Sequence, residues 1–295
     1  MSRASYQIRY LLYCLMLVIL CLFAAIVYFS FQLPDDSNLK SYKPDVMTRI
    51  HDSNGQLVKE FSREYRIFVP IENIPVSLKN AFISAEDKNF YSHIGIDPTG
   101  ILRAIIRNTY YFFSDKRPEG ASTITQQVAK NFLLNDELSL SRKVKEALLA
   151  IKIDATLSKS RILELYLNQI YLGYGTYGVA AASNRYFKKS LEELDLSEVS
   201  FLAALPKAPS RYNPKKNYKK SLNRRNWVLK RMYMNKYISE EEYKTSVEKT
   251  IQIAASEKKP IYSSDYYLEE IRKQIIKAYG ENVLYTGGLS VRSSL

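Results

Sequence analysis

Acids, hydroxyls and cations gather in three short stretches of this 295-residue chain. The first, "ISAEDKNFYSHIGID" (Ile83 to Asp97), sets Glu86 beside Asp87, follows them with Phe90 and Tyr91, and places His93 seven residues after Glu86. A carboxylate in a partly apolar pocket gains proton affinity, which suits general acid or base work. The same letters also describe a solvated helix end in which Asp87 pairs with Lys88. The second, "GASTITQQVAKN" (Gly120 to Asn131), packs hydroxyls and amides into a helix start, where free backbone N–H groups favour a phosphate. Ser and Thr there serve equally well as plain caps. In the third, Arg142 and Lys143 precede Glu146 by four and three residues, so all three can share one helix face. That set reads either as a surface ion pair or as two cations joined to a carboxylate, which a diphosphate leaving group requires.

Other chemistries fit poorly. "GYGTYG" (Gly173, Gly175, Gly178) matches G-x-G-x-x-G but follows a helix and not a strand, so the glycines are read as shaping a turn between helices. Ser-x-x-Lys at Ser37, Ser246 and Ser256 stands in no convincing site, and no Lys-Thr-Gly accompanies it. A Ser-His-Asp triad would need His51 or His93, and no G-x-S-x-G elbow is present. With two histidines, and both cysteines (Cys14 and Cys21) inside an apolar run, a transition-metal site is not expected.

The elements that must hold these residues begin with that run. Tyr10 to Phe31 is 22 residues without a charge, preceded by Arg3 and Arg9 and followed by Asp35 and Asp36. About 20 helical residues span the hydrocarbon core of a bilayer, so the run predicts a retained anchor. The positive-inside rule leaves residues 1–9 as a cytoplasmic tail and the rest outside. Net charge is +13, which suits an anionic partner, and an extracytoplasmic location makes that partner something other than nucleic acid. Residues 32–46 read as a linker. "MTRIHDSNGQLVKEF" alternates about Asn54-Gly55 and predicts a β-hairpin. Beyond Ile74 the periodicity turns helical, with helices over "IPVSLKNAFISAED", "SRKVKEALLAIKIDATL", "SKSRILELYLNQIYL", "LSEVSFLAALPKAP" and "RRNWVLKRMYMNKYISEEEYKTS". The second of these starts after a serine cap, with its apolar stripe at Val144, Leu148, Ile151 and Ala155. Tyr110, Tyr111, Phe112 and Phe113, beside cations and a Pro118-Glu119-Gly120 turn, suit either a lip dipping into a bilayer or a core helix end.

Together these stretches resemble the peptidoglycan glycosyltransferase domain of class A penicillin-binding proteins. EDxxFxxHxG appears as Glu86, Asp87, Phe90, His93 and Gly95, and GxSTITQQ as Gly120 to Gln127. RKxxExxxA appears as Arg142, Lys143, Glu146 and Ala150, KxxILExYLN as Lys159 to Asn168, and the last motif as "LAALPKAPSRYNP", Leu202 to Pro214. The resemblance implies a mainly α, lysozyme-like domain over residues 47–250 with a small β-hairpin element, a membrane-facing jaw and one transmembrane helix at residues 10–31. Residues 251–295 are expected to be a linker toward a transpeptidase domain, less well ordered without it, and crosslinking activity is not expected.

The implied reaction joins lipid II units into β-1,4-linked glycan strands at the bacterial cytoplasmic membrane. The donor is the growing strand on undecaprenyl diphosphate, and the acceptor is lipid II. By the family pattern Glu86 is the general base and Lys130, Arg142 and Lys143 hold the diphosphate, with Glu146 organising the cations. Asp87 and His93 support the base, and Ser122, Thr123, Gln126 and Gln127 line the donor groove. Arg224 or Arg225 is a looser candidate for the diphosphate. No cofactor is evidently required; the family leaves room for a divalent cation and for other cell-wall synthesis proteins as partners. The alternatives are a glycan-cleaving enzyme on the same fold and an inactive cell-wall scaffold.

Overall fold

The computed structural model describes residues 3–35, 39, 47–62, 64–112, 120–134, 139–254 and 265–294. Phe113, the Pro118-Glu119 part of the expected turn and most of the 32–46 linker lie outside them, as does the side chain of Phe112. The chain divides into two compact units, one of residues 1–40 and 91–158, the other of residues 41–90 and 159–295.

The first unit is helical: α1 (Arg3–Ser30), α2 (Pro98–Phe112), α3 (Ile124–Leu133) and α4 (Leu140–Thr156). α1 carries most of the uncharged run, but the side chains of residues 3–11, 15, 18, 19 and 22 lie outside the described residues. Among the described residues no helix is long and apolar enough to cross a membrane. α3 starts at a capping box in which the Thr123 hydroxyl accepts the Gln126 N–H while the Gln126 side chain accepts the Thr123 N–H. Two otherwise orphaned amides are satisfied in this way. α4 is capped by Ser139, whose hydroxyl accepts the Arg142 N–H. Its buried face is Glu146, Leu149, Ala150 and Ile153, and Ala155 of the predicted stripe is exposed. Apolar period alone misplaces the face, because a carboxylate is buried on it and a glycine loop packs against Ala150.

The second unit is built on α5 (Val76–Glu86), α6 (Lys159–Gln169), α7 (Val179–Phe187), α8 (Leu196–Ala204), α9 (Pro214–Met234) and α10 (Glu240–Glu248). α5, α8 and α9 pack on one another. Leu78, Phe82 and Ile83 of α5, Phe201 and Leu202 of α8, and Val228, Leu229 and Met232 of α9 are fully buried. Local signals set the ends: α8 and α10 open with the capping boxes Asp195–Glu198 and Ser239–Glu242, and α8 stops short of Pro206.

The predicted hairpin is present as antiparallel β1 (Thr48–His51) and β2 (Leu57–Phe61). The Asp52 side chain organises its loop by accepting the Asn54 and Gln56 N–H groups, and Gly55 takes φ +83°. A second small sheet joins β3 (Tyr65–Arg66), β4 (Tyr171–Gly173) and β5 (Thr176–Tyr177) in the order β3-β5-β4. The glycines of "GYGTYG" therefore shape a strand hairpin and not a bare turn between helices.

Residues 265–294, where little order is expected, fold as α11 (Asp265–Tyr279), α12 (Glu281–Thr286) and β6 (Ser290–Arg292). β6 pairs in parallel with β1, and Ile50 shares a core with Leu268, Ile275 and Leu284. The inward face of the hairpin needs apolar cover, and this segment supplies it.

Candidate active site

In the first unit, three of the motifs meet at Gly95. Its φ of +88° is left-handed, and a Cβ there would lie 2.2 Å from the Ala150 carbonyl oxygen, so the position admits no side chain. The Gly95 N–H donates to His93 Nδ1 at 3.1 Å, and its carbonyl accepts the Thr123 hydroxyl at 2.6 Å. The tail of the first motif, the capping residue of the second and the small residue of the third thus form one junction. His93 is buried there with Nδ1 acting as an acceptor, which fixes the ring. Thr123 and Gln126 are likewise buried, and their side chains are engaged in the cap.

Beside this junction Lys143 pairs with Glu146 and donates to Ser122 Oγ at 2.8 Å. The pair is lopsided: the Glu146 side chain is 3% exposed and that of Lys143 48%. A buried acid therefore anchors a cation whose ammonium reaches the hydroxyl just ahead of the α3 start. Arg142 Nε is buried without a hydrogen-bond partner among the described residues. Lys130 lies in the last turn of α3 and is half-buried, as is Gln127 about one turn nearer the helix start. Cations and a hydroxyl beside the positive end of a helix together suit an anion with several oxygens.

On the same unit α2 presents Leu102, Ile105, Ile106 and Tyr110 to solvent, the last 72% exposed, and Tyr91 and Ile94 are exposed just before it. Uncovered apolar side chains at helical spacing mark a surface that meets something apolar.

In the second unit Glu86 is the last residue of α5, half-buried, and Asp87 caps the helix with its N–H on the Ile83 carbonyl. Phe90 is fully buried, and Lys159 lies 5.0 Å above its ring. α9 holds the end of α5: Asn235 donates to the Ser84 hydroxyl at 3.1 Å and Arg231 to the Ser84 carbonyl at 3.5 Å. Tyr166 of α6 stands edge-on to Phe82, with ring centroids 6.1 Å apart. Its hydroxyl is buried with no hydrogen-bond partner among the described residues. Burial pushes the phenol well above its ordinary pKa, and the charges of Glu86 and Asp87 push it further.

The neighbouring arginines Arg224 and Arg225 separate completely. Arg225 is fully buried and donates to Ser197 Oγ, to the Val247 and Lys249 carbonyls at 3.2 and 2.8 Å, and to Asn226. It ties α9 to the start of α8 and the end of α10. Arg224 lies 3.8 Å over the ring of Trp227, the chain's one tryptophan, and Arg231 lies 5.6 Å from the same ring. Burial lowers the Arg224 pKa while the Glu86 charge works the other way. Of the two, only Arg224 shares an environment with Glu86. Tyr166 is the tyrosine of the fourth motif, whereas Trp227 lies in none of the motifs; the solitary tryptophan one turn after an arginine is the signal that points to it.

The fourth motif turns out to be architecture. Asn168 donates to the Val69 and Glu164 carbonyls and accepts the Val69 N–H, while Glu164 accepts the Ile71 N–H and pairs with Arg161. α6 thereby clamps the irregular segment that leads into α5. Among the described residues, no group of three His, Cys, Asp or Glu side chains is gathered as a metal ion would need.

A domain tied together by these motifs belongs to an identifiable class: residues 54–233 match the family described as Transglycosylase, and the chain is a member of that family. Among its relatives, penicillin-binding protein 1A of Rickettsia bellii (strain RML369-C) is 48% identical over 271 residues, 92% of this chain and 34% of that protein. Penicillin-binding protein 1A of Escherichia coli (strain K12) is 41% identical over 87% of this chain and 30% of its own length. The crystal structure of penicillin-binding protein 1A from Haemophilus influenzae matches with a TM-score of 0.50 and 30% identity, over 85% of this chain and 27% of that one. The chain thus spans about a third of the length of the curated relatives it matches.

Proposed function

We propose that this protein is a peptidoglycan glycosyltransferase that polymerises lipid II at the outer face of the bacterial cytoplasmic membrane. The observation that carries the reading is the Lys143–Glu146–Ser122 arrangement at the α3 start, a buried acid holding a half-exposed cation whose ammonium reaches a hydroxyl beside the positive end of a helix. Membership of the transglycosylase family supports it.

In the proposed reaction the Glu86 carboxylate takes the proton of the acceptor sugar's 4-hydroxyl as that oxygen attacks the donor's anomeric carbon. The bond from that carbon to the diphosphate oxygen breaks, and its electron pair leaves with the diphosphate. Attack from the face opposite the leaving group inverts an α-linked diphosphate into a β-1,4 link, as in inverting glycosidases with a sugar hydroxyl replacing water. Lys130, Arg142 and Lys143 neutralise the departing charge, Glu146 fixes Lys143, and Ser122 and Gln127 bind the donor. Thr123 and Gln126 act by holding the helix start, His93 by fixing the loop at Gly95, and Asp87 by capping the helix that ends in Glu86. Arg224 is the better candidate of the arginine pair, because the bonds of Arg225 are all engaged in packing.

The anchor is proposed at residues 10–31, supported by the uncharged run and its flanking charges, with the catalytic domain at 47–250 outside the membrane. The exposed apolar side chains of α2 suit contact with the same bilayer that holds the lipid-linked substrates. Incubation of the purified protein with labelled lipid II tests the reading. Strands longer than the substrate are expected, and Glu86→Gln should lower the rate by roughly 100-fold or more, the scale for losing a positioned base. Failure to lengthen lipid II overturns the function; full activity in Glu86→Gln overturns the base.

A further inference from the structure

The motif "GYGTYG" has no part in the proposed chemistry, yet it is the most conformationally demanding stretch of the described chain. Gly173 pairs with Thr176, so Tyr174 and Gly175 form a two-residue hairpin loop. Their φ values, +51° and +72°, are both left-handed, as a type I′ turn demands. Such turns take Asn, Asp or Gly at the first position; a tyrosine there costs on the order of 1 kcal/mol. The strained residue is also pinned: its hydroxyl donates to Asn213 Oδ1 at 2.9 Å, and its ring meets Tyr186 edge-on at 5.3 Å.

The ring so fixed lines a cavity of about 470 Å³, within the range of small-ligand sites. Tyr65 and Thr176 are cross-strand partners of β3 and β5, so their side chains share a sheet face, and both line the same cavity. The end of α7 supplies Asn184 and Arg185, and its left-handed cap residue Lys188 completes the wall. Arg185 makes no ion pair or hydrogen bond among the described residues, while Glu60, also on the wall, is held by Arg49 at 3.3 Å. Burial raises the Tyr65 phenol above its ordinary pKa, keeping it a neutral O–H donor. Two cations, a phenol and an amide around an aromatic wall match a carboxylate attached to a compact ring or short chain.

We propose that this cavity binds a small carboxylate-bearing ligand, with Arg185 and Lys188 taking the carboxylate and Tyr174 its less polar face. The carboxylate can belong to a sugar acid or to the end of a short peptide. Saturation-transfer NMR on the full-length protein separates the two with matched probes: methyl glucuronide against methyl glucoside, and N-acetyl-dialanine against its C-terminal amide. At least one acid is expected to bind roughly tenfold tighter than its neutral partner. The pair that shows the difference names the source. Arg185→Gln should weaken that acid by a similar factor without moving Tm, because the side chain is exposed, and Arg185→Lys should recover part of it. Lys188→Asn, which keeps a residue tolerant of the left-handed backbone, should give a second, independent loss. The proposal is overturned if neither acid binds, if acid and neutral probes bind alike, or if both substitutions leave acid binding unchanged. No readout involves lipid II, so the outcome is independent of the proposed polymerase activity.

Discussion

Two acid–base pairs with the same spacing do different work in the two units. Lys143–Glu146 and Arg161–Glu164 each join a cation to an acid three residues later on one helix. Glu164 also accepts the Ile71 N–H, and its arginine is 25% exposed, so the pair is consumed in holding backbone. Glu146 accepts no backbone N–H among the described residues, and its lysine is 48% exposed and reaches Ser122. Spacing on a helix specifies that a pair can form. What each acid does with its remaining oxygen, and how far the cation reaches toward solvent, decides whether the pair supports structure or offers charge to a ligand.

Double substitution puts the largest effect on this difference. Lys143→Met alone strands a buried carboxylate and should lose both stability and activity. Adding Glu146→Leu removes the stranded charge, so Tm should return close to that of the wild type while lipid II polymerisation stays down by roughly 100-fold or more. Arg161→Met with Glu164→Leu should behave in the opposite way. It leaves the Ile71 N–H without its acceptor, so roughly 1–3 kcal/mol of stability stays lost, and the properly folded fraction should turn over nearly normally. Thermal melts and strand-length assays on the three variants and the wild type check this. An active Lys143→Met/Glu146→Leu protein would erase the distinction.

Asn168→Ala sharpens the same contrast from the backbone side. It deletes three hydrogen bonds and leaves the Val69 N–H and carbonyl unmatched. A loss of roughly 2–3 kcal/mol is expected, which for a domain of this size lowers Tm by roughly 5–10 °C. Activity per folded molecule should change little. A Tm within about 2 °C of the wild type would show that α6 does not clamp the 69–71 segment.

Elements governed by neighbours in sequence were legible in it. The serine cap of α4, the Asn54-Gly55 loop and Pro206 mark their helices and hairpin because the signal and the structure it makes lie within a few residues. What depends on distant partners was not legible. The buried face of α4 turns toward Glu146 because Lys143 neutralises that acid and because Gly95 packs on Ala150. The order of residues 265–294 comes from a parallel strand pairing across more than two hundred residues. For the site, motif letters named Glu86, Lys143 and Glu146, but they could not divide Arg224 from Arg225. Only the tertiary partners, Trp227 for one and Ser197 for the other, make that division.

The smallest expected effect concerns a buried polar atom of α6 that the clamp does not use. Tyr166 Oη is buried with no hydrogen-bond partner among the described residues, a state that costs on the order of 1 kcal/mol. Tyr166→Phe keeps the ring against Phe82 and removes that burden, so stability near neutral pH should rise by up to about 1 kcal/mol. The pH dependence carries an independent sign. The folded pKa of Tyr166 is raised, so above about pH 10 the unfolded chain gives up this proton while the folded chain keeps it. Stability is thus complete below that pH and falls as pH rises through it. Tyr166→Phe should flatten the alkaline fall in Tm without abolishing it, because burial raises Tyr186 in the same direction. If the variant is instead less stable and more than tenfold slower on lipid II, the hydroxyl serves Glu86, and α6 belongs to the chemistry as well as to the scaffold.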